Sequence, residues 1–454
     1  MPTPWTSSPA RAERLRVGRD SRTRVSRRSL ARLETQGRRP LGILERQNAT
    51  RVPELVPLRT ERMSASPFAF YRGTAALMAA DLARGPSSQI LVASCGDAHV
   101  ANFGLYASPQ RTLVFDLNDF DEAAWAPWEW DLKRLVTSIV VAGQATVRDD
   151  RVIREAARAA IGSYLGSLTA YLERSPLARY FEHFTVEGGP PPRDRQSRKV
   201  IETVSRAAQK RTGERAARKL TEADGQGRLR FAETPPTMTH LTVDLAALQE
   251  KALTDYLATT SVDIRMLLEH YTLSDTVRRV VGVGSVGTRC YLSVLQDGDG
   301  NALLLQTKEA GPSVLVEYGG CKQPERVAEQ LRSDGDGARV VALQRILQGV
   351  SDPFLGFMRG TSNDFYVRQF RDMKGGVEME NLDDGPFESY ARLCGTTLAR
   401  AHSQSPEAGI VVGYIGKGGP VTDAILEWCY AYAALSRADY DAFIAAQPDV
   451  SKHA

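Results

Sequence analysis

The alternation of apolar and polar residues divides most of the chain into helices and strands. Apolar residues recur with the helical period at 128–145, 150–174, 324–348 and 387–402. Short apolar runs between polar turns predict buried strands at 89–94 and in TLVFDLNDFD. From about residue 276 a strand, a glycine-rich turn, a second strand, the tight turn DGDGN and a third strand, ALLLQTKEA, follow one another. The pattern therefore predicts an α+β protein with a small antiparallel sheet.

Composition places the protein among ordinary globular chains. Apolar residues make up 42% and charged residues 25% of the 454 positions, and no apolar run approaches the roughly 18 residues of a membrane span. Five scattered cysteines without a CxxC pair favour a reducing compartment, so we expect a cytoplasmic protein with no membrane partner. The net charge is only +4, and the arginine-rich run at 11–28 has no aromatic residues for base stacking. Nucleic acid is therefore not an expected partner.

The first candidate for chemistry is the loop GDAHVANFG, which follows the strand at 89–94. Asp97 and Asn102 lie five positions apart in this loop. Phosphoryl transfer needs a carboxylate that orients an acceptor hydroxyl and takes its proton, and an amide oxygen that holds a metal. The kinase catalytic loop supplies both with the same spacing. The pattern predicts Asp97 as the catalytic base and Asn102 as a metal ligand.

A second acidic cluster, FDLNDFDEA, ends the next predicted strand and offers Asp116, Asp119 and Asp121. Magnesium that bridges nucleotide phosphates is held by one or two carboxylates, so either Asp116 or Asp119 is predicted to bind the metal. The alternative is an acidic turn that caps the helix beginning near Trp128.

The third element is VGVGSVGTRCY, between two predicted strands. Its glycines allow backbone amides to approach phosphate oxygens without a clash from a β-carbon. Lys308 in the next strand follows an apolar run, so it is predicted to point inward, as the lysine of a kinase VAIK strand does. We expect these nucleotide-binding residues: Gly282, Gly284, Ser285, Gly287 and Lys308.

The order of these elements differs from that of an ordinary kinase, in which the glycine turn and the lysine come first. A circular permutation resolves this, with FYVRQFRDM as the hinge strand and the helix at 387–402 leading into the GDAHVANFG loop. The predicted regions are a partly disordered, arginine-rich arm at 1–40, a helical lobe at 41–275 with the catalytic loop and the metal-binding Asp, a β-rich nucleotide-binding lobe at 276–380, and C-terminal helices at 381–454 that pack on the helical lobe.

These motifs resemble two known groups of proteins. GDAHVANFG, VGVGSVGTRCY, LLLQTKEA and CGTTLARAH resemble the uncharacterised bacterial family called domain of unknown function 2252, over the chain from about residue 40 onward. The GDxHxxN loop and the DFD-like turn after it are similar to those of the aminoglycoside and choline kinase-like phosphotransferases. That resemblance implies Asp97 as base, Asn102 and Asp119 as metal ligands, with Asp116 competing for the second role. It also implies Asp131 as a structural acid at a helix start.

The expected activity is ATP- and magnesium-dependent phosphoryl transfer to a hydroxyl of a small molecule or protein, in a two-lobed kinase-like fold. The helix after the lysine strand lacks the glutamate that kinases pair with the lysine, and Ala342 stands where we expect it. Glu325, Glu329 or Asp119 is left as the partner. The alternatives are nucleotidyl (AMP) transfer on the same scaffold and a catalytically inactive, nucleotide-binding pseudokinase. Arg72 is a further candidate for contacting a phosphate or an acid.

Overall fold

The computed structural model describes residues 9–188, 194–240, 246–360, 362–370 and 372–447. The α-helices are Arg11–Ser21, Pro40–Ala49, Val56–Ser64, Pro67–Arg72, Ala75–Leu82, Trp128–Ala145, Asp150–Tyr171, Pro176–Tyr180, Arg195–Gln209, Gly213–Leu220, Ala246–Ala258, Val262–Leu268, Val314–Glu317, Glu325–Leu347, Asp384–His402, Ala408–Ile415 and Gly419–Ala445. The strands are Leu91–Ser94, Phe103–Ala107, Leu113–Leu117, Ala124–Pro127, Phe184–Thr185, Thr221–Ala223, Leu229–Phe231, Met238–Thr239, Tyr271–Arg279, Cys290–Asp297, Ala302–Ala310, Gly356–Arg359, Asp364–Gln369 and Gly375–Gly376. The protein is therefore a mixed α/β structure, as predicted.

The largest sheet has six antiparallel strands, and the strand that carries Lys308 lies inside it. This lysine strand, Ala302–Ala310, pairs with Cys290–Asp297 on one side and with Asp364–Gln369 on the other. Tyr271–Arg279 pairs with the far side of Cys290–Asp297. The antiparallel hairpins predicted around the glycine turn and DGDGN are thus confirmed, and Lys308 is placed at an interior position of the sheet.

Helices cover both faces of this sheet. Side chains alternate between the faces along a strand, so Leu304 joins one apolar cluster while Leu303 and Leu305 join another. Residues from the helix Gly213–Leu220 lie in the first cluster, and Ile264 and Leu268 lie in the second. The boundary predicted at residue 275 is therefore too late in the chain, since segments assigned to the helical lobe pack on the sheet.

A larger apolar core lies among the helices of the rest of the chain. The helix Trp128–Ala145 is buried along nearly its whole length, and the Trp128 ring stacks on Tyr164 with 5.9 Å between centroids. The helix Asp384–His402 packs along Asp150–Tyr171. None of the helices in the described ranges is both long and apolar enough to cross a membrane.

Residues 9–40 are folded against the body of the protein, which corrects the expectation of a partly disordered arm; residues 1–8 lie outside the described part. The helix Arg11–Ser21 packs on the helix Ala408–Ile415. A β-carbon on Gly18 would lie 2.0 Å from a carbonyl oxygen of that second helix. Small residues at this crossing let the two backbones come close together.

The arginines of this N-terminal segment bind distant parts of the chain. Arg38 pairs with Asp81 at 2.7 Å and with Asp439 at 2.6 Å, and at most 8% of each of the three side chains is exposed. Arg22 and Arg27 donate hydrogen bonds to carbonyl oxygens at the end of the helix Ala408–Ile415. The arginines of this segment therefore form ion pairs with buried carboxylates and donate hydrogen bonds to the carbonyl oxygens at a helix terminus.

Candidate functional site

Two cavities meet beside the motifs that the sequence analysis identified, and residues of these motifs form the common boundary of the cavities. The cavities have volumes of about 720 and 580 Å³, within the range of small-molecule sites. Asp97 lines the larger cavity and Lys308 lines the smaller one. Residues that line both are Arg72, Asn102, Asp119, Gly282 and Ser285. Segments that are far apart in the chain therefore surround one cleft.

The GDAHVAN loop, residues 96–102, is fixed by the helix that follows it in the chain. The Asp131 carboxylate accepts hydrogen bonds from the amides of Cys95 at 2.7 Å and Gly96 at 3.0 Å. Gly96 has φ of +80°, and a β-carbon there would lie 2.1 Å from the carbonyl oxygen of Glu122. Only glycine fits this conformation and spacing, so the loop lies directly against the acidic turn, residues 118–122.

Asp97 is held in one orientation by Arg134. The Arg134 Nε donates to Asp97 Oδ1 at 2.8 Å, and 19% of the Asp97 side chain is exposed. The guanidinium also lies 4.0 Å from the centroid of the Tyr71 ring and donates to the Tyr71 carbonyl oxygen at 2.8 Å. Burial alone would lower the pKa of Arg134, but the Asp97 carboxylate raises it overall. Sequence reasoning missed Arg134, although a charged residue within a buried helix was a signal that it has a partner.

His99 lies beside the same carboxylate and acts as a neutral brace. Its Nε2 is 3.5 Å from Asp97 Oδ2, and its side chain is 4% exposed. Burial lowers the pKa of His99 to about 4, despite the neighbouring Asp97 charge. A histidine with this pKa is uncharged near neutral pH.

Replacing His99 with glutamine should make the stability of the protein less dependent on pH. Because the histidine has an ordinary pKa of 6.5 and a folded-state pKa of about 4, the unfolded chain binds more protons between these values. Stability present above pH 6.5 is then lost as pH falls toward 4, by up to about 3 kcal/mol from this group. Denaturant unfolding of wild type and His99→Gln across this pH range measures the difference. Equal losses would contradict the neutral buried histidine, and His270→Gln, at an exposed position, is the control.

Asn102 and Asp119 offer oxygen ligands at the boundary of the cavities. The Asn102 Nδ2 donates to the carbonyl oxygen of Asp97 at 2.8 Å, which leaves its side-chain oxygen for another partner. The Asp119 carboxylate is 40% exposed. Magnesium is commonly bound by one or two such protein oxygens together with substrate phosphates and water. Within the described ranges, no cluster of three or more His, Cys, Asp or Glu side chains is arranged to hold a metal.

Asp116, the other predicted metal ligand, lines neither cavity. Its side chain is 1% exposed, its Oδ2 accepts a hydrogen bond from the Gly349 amide at 2.7 Å, and Arg400 Nη1 is 3.7 Å away. Burial raises the pKa of this carboxyl group. Of the two candidates that the sequence left open, the geometry favours Asp119 as a ligand and gives Asp116 contacts that brace the interior.

Lys308 contacts the acidic turn, although it is 189 residues from Asp119 along the chain. Its Nζ is 3.5 Å from Asp119 Oδ1 and also contacts Asp121 Oδ2, and only 3% of the lysine side chain is exposed. Burial alone would lower the pKa of Lys308, but the two carboxylates raise it well above its ordinary value. Burial would raise the pKa of Asp119, but Lys308 lowers it overall. The partner left open by the sequence is therefore Asp119, joined by Asp121.

The long helix after the lysine strand contacts the acidic turn through an arginine. Arg339 donates hydrogen bonds to the carbonyl oxygens of Asp121 at 3.0 Å and Gly311 at 2.7 Å. The two acids that the sequence offered on this helix, Glu325 and Glu329, are exposed. The helix thus contacts the acidic turn through a backbone carbonyl oxygen of the turn. The carboxylates that contact Lys308 are side chains of the turn.

The glycine turn, residues 281–289, contributes residues to the lining of both cavities. Gly282, Gly284 and Ser285 line the larger cavity, and the Ser285 hydroxyl donates to the carbonyl oxygen of Val281 at 2.8 Å. Gly287 lines neither cavity. Its φ is +89°, and a β-carbon there would approach the Arg51 side chain at 3.0 Å. Gly287 is therefore explained by its backbone conformation and close packing, whereas Gly282, Gly284 and Ser285 line the cavity.

Two arginines of the N-terminal region, Arg51 between two helices and Arg62 in the helix Val56–Ser64, contact the glycine turn. Arg62 donates to the carbonyl oxygen of Gly282 at 2.6 Å, and Arg51 donates to that of Val286. These contacts fix the turn to residues outside the sheet.

The fold and the cleft define a mixed α/β protein in which a buried lysine and two carboxylates meet across two cavities. The chain belongs to the family of uncharacterised proteins conserved in bacteria called domain of unknown function 2252, whose model matches residues 51–446. The family resemblance seen in the motifs is thereby confirmed. No curated protein and no solved structure matches the chain.

Proposed function

We propose that this protein is an ATP- and magnesium-dependent phosphotransferase with a circularly permuted, kinase-like fold. The observation that carries the proposal is the contact of Lys308 with Asp119 and Asp121, which joins the glycine-turn sheet to the acidic turn, and Gly96 of the GDAHVAN loop lies directly against that turn. Kinases combine a glycine loop, a strand lysine, a metal-binding Asp and an Asp-x-x-x-x-Asn loop in the same way. The central position of the lysine strand, next to the glycine hairpin, is further support.

The two cavities suggest separate binding sites for the nucleotide and for the acceptor. The smaller cavity contains Lys308, Arg368 and Lys374, whose positive charges suit a triphosphate. The larger cavity contains Asp97, which suits an acceptor hydroxyl. Both volumes are large enough for a small molecule. Nucleotide and acceptor would then meet at the boundary formed by Asn102 and Asp119.

Each residue has a role that its contacts support. Asp97, oriented by Arg134, accepts the hydroxyl proton, and Lys308 binds phosphate oxygens. Asn102 and Asp119 would hold magnesium, which when bound neutralises charge on the phosphates. In this proposal the glycine turn, residues 281–289, would approach the phosphates through Gly282 and Ser285, which line the smaller cavity as well as the larger one.

Incubation of the protein with magnesium and ATP labelled at either the α- or the γ-phosphate tests this function. Transfer of the γ label with release of ADP would support phosphoryl transfer to protein, to an added polyol or to water. Transfer of the α label with release of pyrophosphate would instead show nucleotidyl transfer. ATP binding without either reaction would identify a nucleotide-binding module, and absence of binding at millimolar ATP would contradict the proposal altogether.

A further inference from the structure

Arg72 differs from other arginines of the cleft because its guanidinium group has no hydrogen-bond or ion-pair partner among the described residues. Arg51, Arg62 and Arg134 each donate hydrogen bonds to protein oxygens near the site. The Arg72 Nε is buried without a hydrogen-bond partner, and no hydrogen bond or ion pair of its side chain is found within the described residues. The Arg72 side chain is half-buried, and a buried donor without a partner costs free energy, so this guanidinium is a candidate for binding an anion.

The backbone of Arg72 is held in place at the boundary of the two cavities. It ends the helix Pro67–Arg72, whose Phe70 and Tyr71 are buried in the core. A β-carbon on Gly284 would lie 3.4 Å from the Arg72 carbonyl oxygen, so the helix end lies close to the glycine turn. The positive charge of Arg72 also helps to lower the pKa of His99, after the larger effect of burial. The guanidinium therefore lies near both the GDAHVAN loop and the glycine turn.

We propose that Arg72 is a catalytic residue that binds the phosphoryl group while it passes from nucleotide to acceptor. This inference rests on the proposed function. Arg72 lines both cavities, so a group that moves from the smaller to the larger one passes beside it. Lys308, by contrast, lines only the smaller cavity and already contacts two carboxylates.

The charge that develops during phosphoryl transfer explains why a guanidinium would be needed at this position. The acceptor oxygen bonds to the γ-phosphorus and its proton passes to the Asp97 carboxylate. The bond from the γ-phosphorus to the bridging oxygen breaks, and its electron pair leaves with ADP. Negative charge is spread over the three remaining oxygens of the phosphoryl group during this step. A planar guanidinium donates to two such oxygens at once, and a lysine cannot reproduce this geometry.

Substitution of Arg72 tests the inference through kcat rather than through nucleotide affinity. Arg72→Ala and Arg72→Lys should each lower kcat for transfer of the γ-phosphoryl group of ATP to water, measured as release of ADP, by about 1000-fold while the Kd for ADP stays near that of wild type. Added guanidinium ion should restore part of the activity of Arg72→Ala but none of that of Arg72→Lys. The control is Arg84→Ala, at an exposed position outside both cavities.

A second measurement uses ADP, magnesium and aluminium fluoride, which together imitate the transferring phosphoryl group. Wild type should bind this mixture more tightly than ADP alone, and both Arg72 variants should lose that gain while still binding ADP, which also shows that they are folded. A kcat within about tenfold of wild type, or an unchanged gain from aluminium fluoride, would overturn the role of Arg72. A wild-type protein that neither binds nor turns over ATP would overturn the proposed function as well.

Discussion

An Asp97→Asn variant is expected to bind ATP as wild type does and to lose turnover by roughly 100- to 10,000-fold. An asparagine has nearly the same shape, and its side-chain oxygen still accepts the hydrogen bond from Arg134 that orients Asp97. It does not take a proton from an acceptor hydroxyl, so the loss falls on the chemical step. Asp97 lines only the larger cavity, which is why the nucleotide should bind unchanged.

Single-turnover kinetics with γ-labelled ATP and calorimetric binding of ATP separate these two effects. Asp423→Asn, at a carboxylate that is 70% exposed, provides a matched control with the same change of charge. If Asp97→Asn kept the wild-type rate, the assignment of Asp97 as the base would be wrong. A loss of ATP binding equal to the loss of rate would instead show that the substitution disturbs the whole cleft.

A Lys308→Ala variant is expected to weaken ATP binding by roughly 10- to 100-fold, because a charge-assisted hydrogen bond contributes about 1.5–3 kcal/mol. The same change leaves Asp119 and Asp121 together without the ammonium group that contacts both. Since Lys308 lowers the pKa of Asp119, that pKa should rise in the variant. Asp119 is charged above its folded-state pKa and becomes neutral as pH falls through that value. In Lys308→Ala the carboxylate should therefore become neutral at a higher pH than in wild type.

Titration of ATP affinity against pH, with saturating magnesium, measures both consequences of Lys308→Ala. Wild-type affinity should stay constant over a wider acidic range than that of the variant. Lys322→Ala, at an exposed lysine after the same strand, is the control and should behave as wild type. An unchanged affinity and an unchanged pH profile in Lys308→Ala would contradict the role of the lysine in nucleotide binding.

Local pattern was sufficient wherever the residues of a segment decide its structure. The helix predicted at 128–145 has those bounds, because its apolar residues repeat with the helical period over five turns. The lysine strand was predicted from the run Leu303, Leu304 and Leu305, which alternates between two apolar clusters. The mixed α and β class and the antiparallel pairing of the hairpins follow from such segments.

Contacts between distant segments were beyond what the pattern shows. Asp116 and Asp119 are equivalent as oxygen ligands in the sequence, and only the packing of Gly349 and Arg400 around Asp116 separates them. Asp121 contributes to the lysine site through a turn conformation that spacing does not specify. The arginine-rich N-terminus was wrongly predicted as a partly disordered arm, since its partners lie near the other end of the chain.

The bond of Arg38 to Asp81 and Asp439 has a consequence for biosynthesis. Asp439 is 401 residues further along the chain than Arg38, so the ribosome releases it long after the arginine has emerged. Because Arg38 can contact Asp81 early but cannot contact Asp439 until the last helix has been synthesised, we expect this buried cluster to be completed only when translation is nearly finished. The N-terminal segment, although synthesised first, is therefore expected to complete its packing only after the helix Gly419–Ala445 has been made.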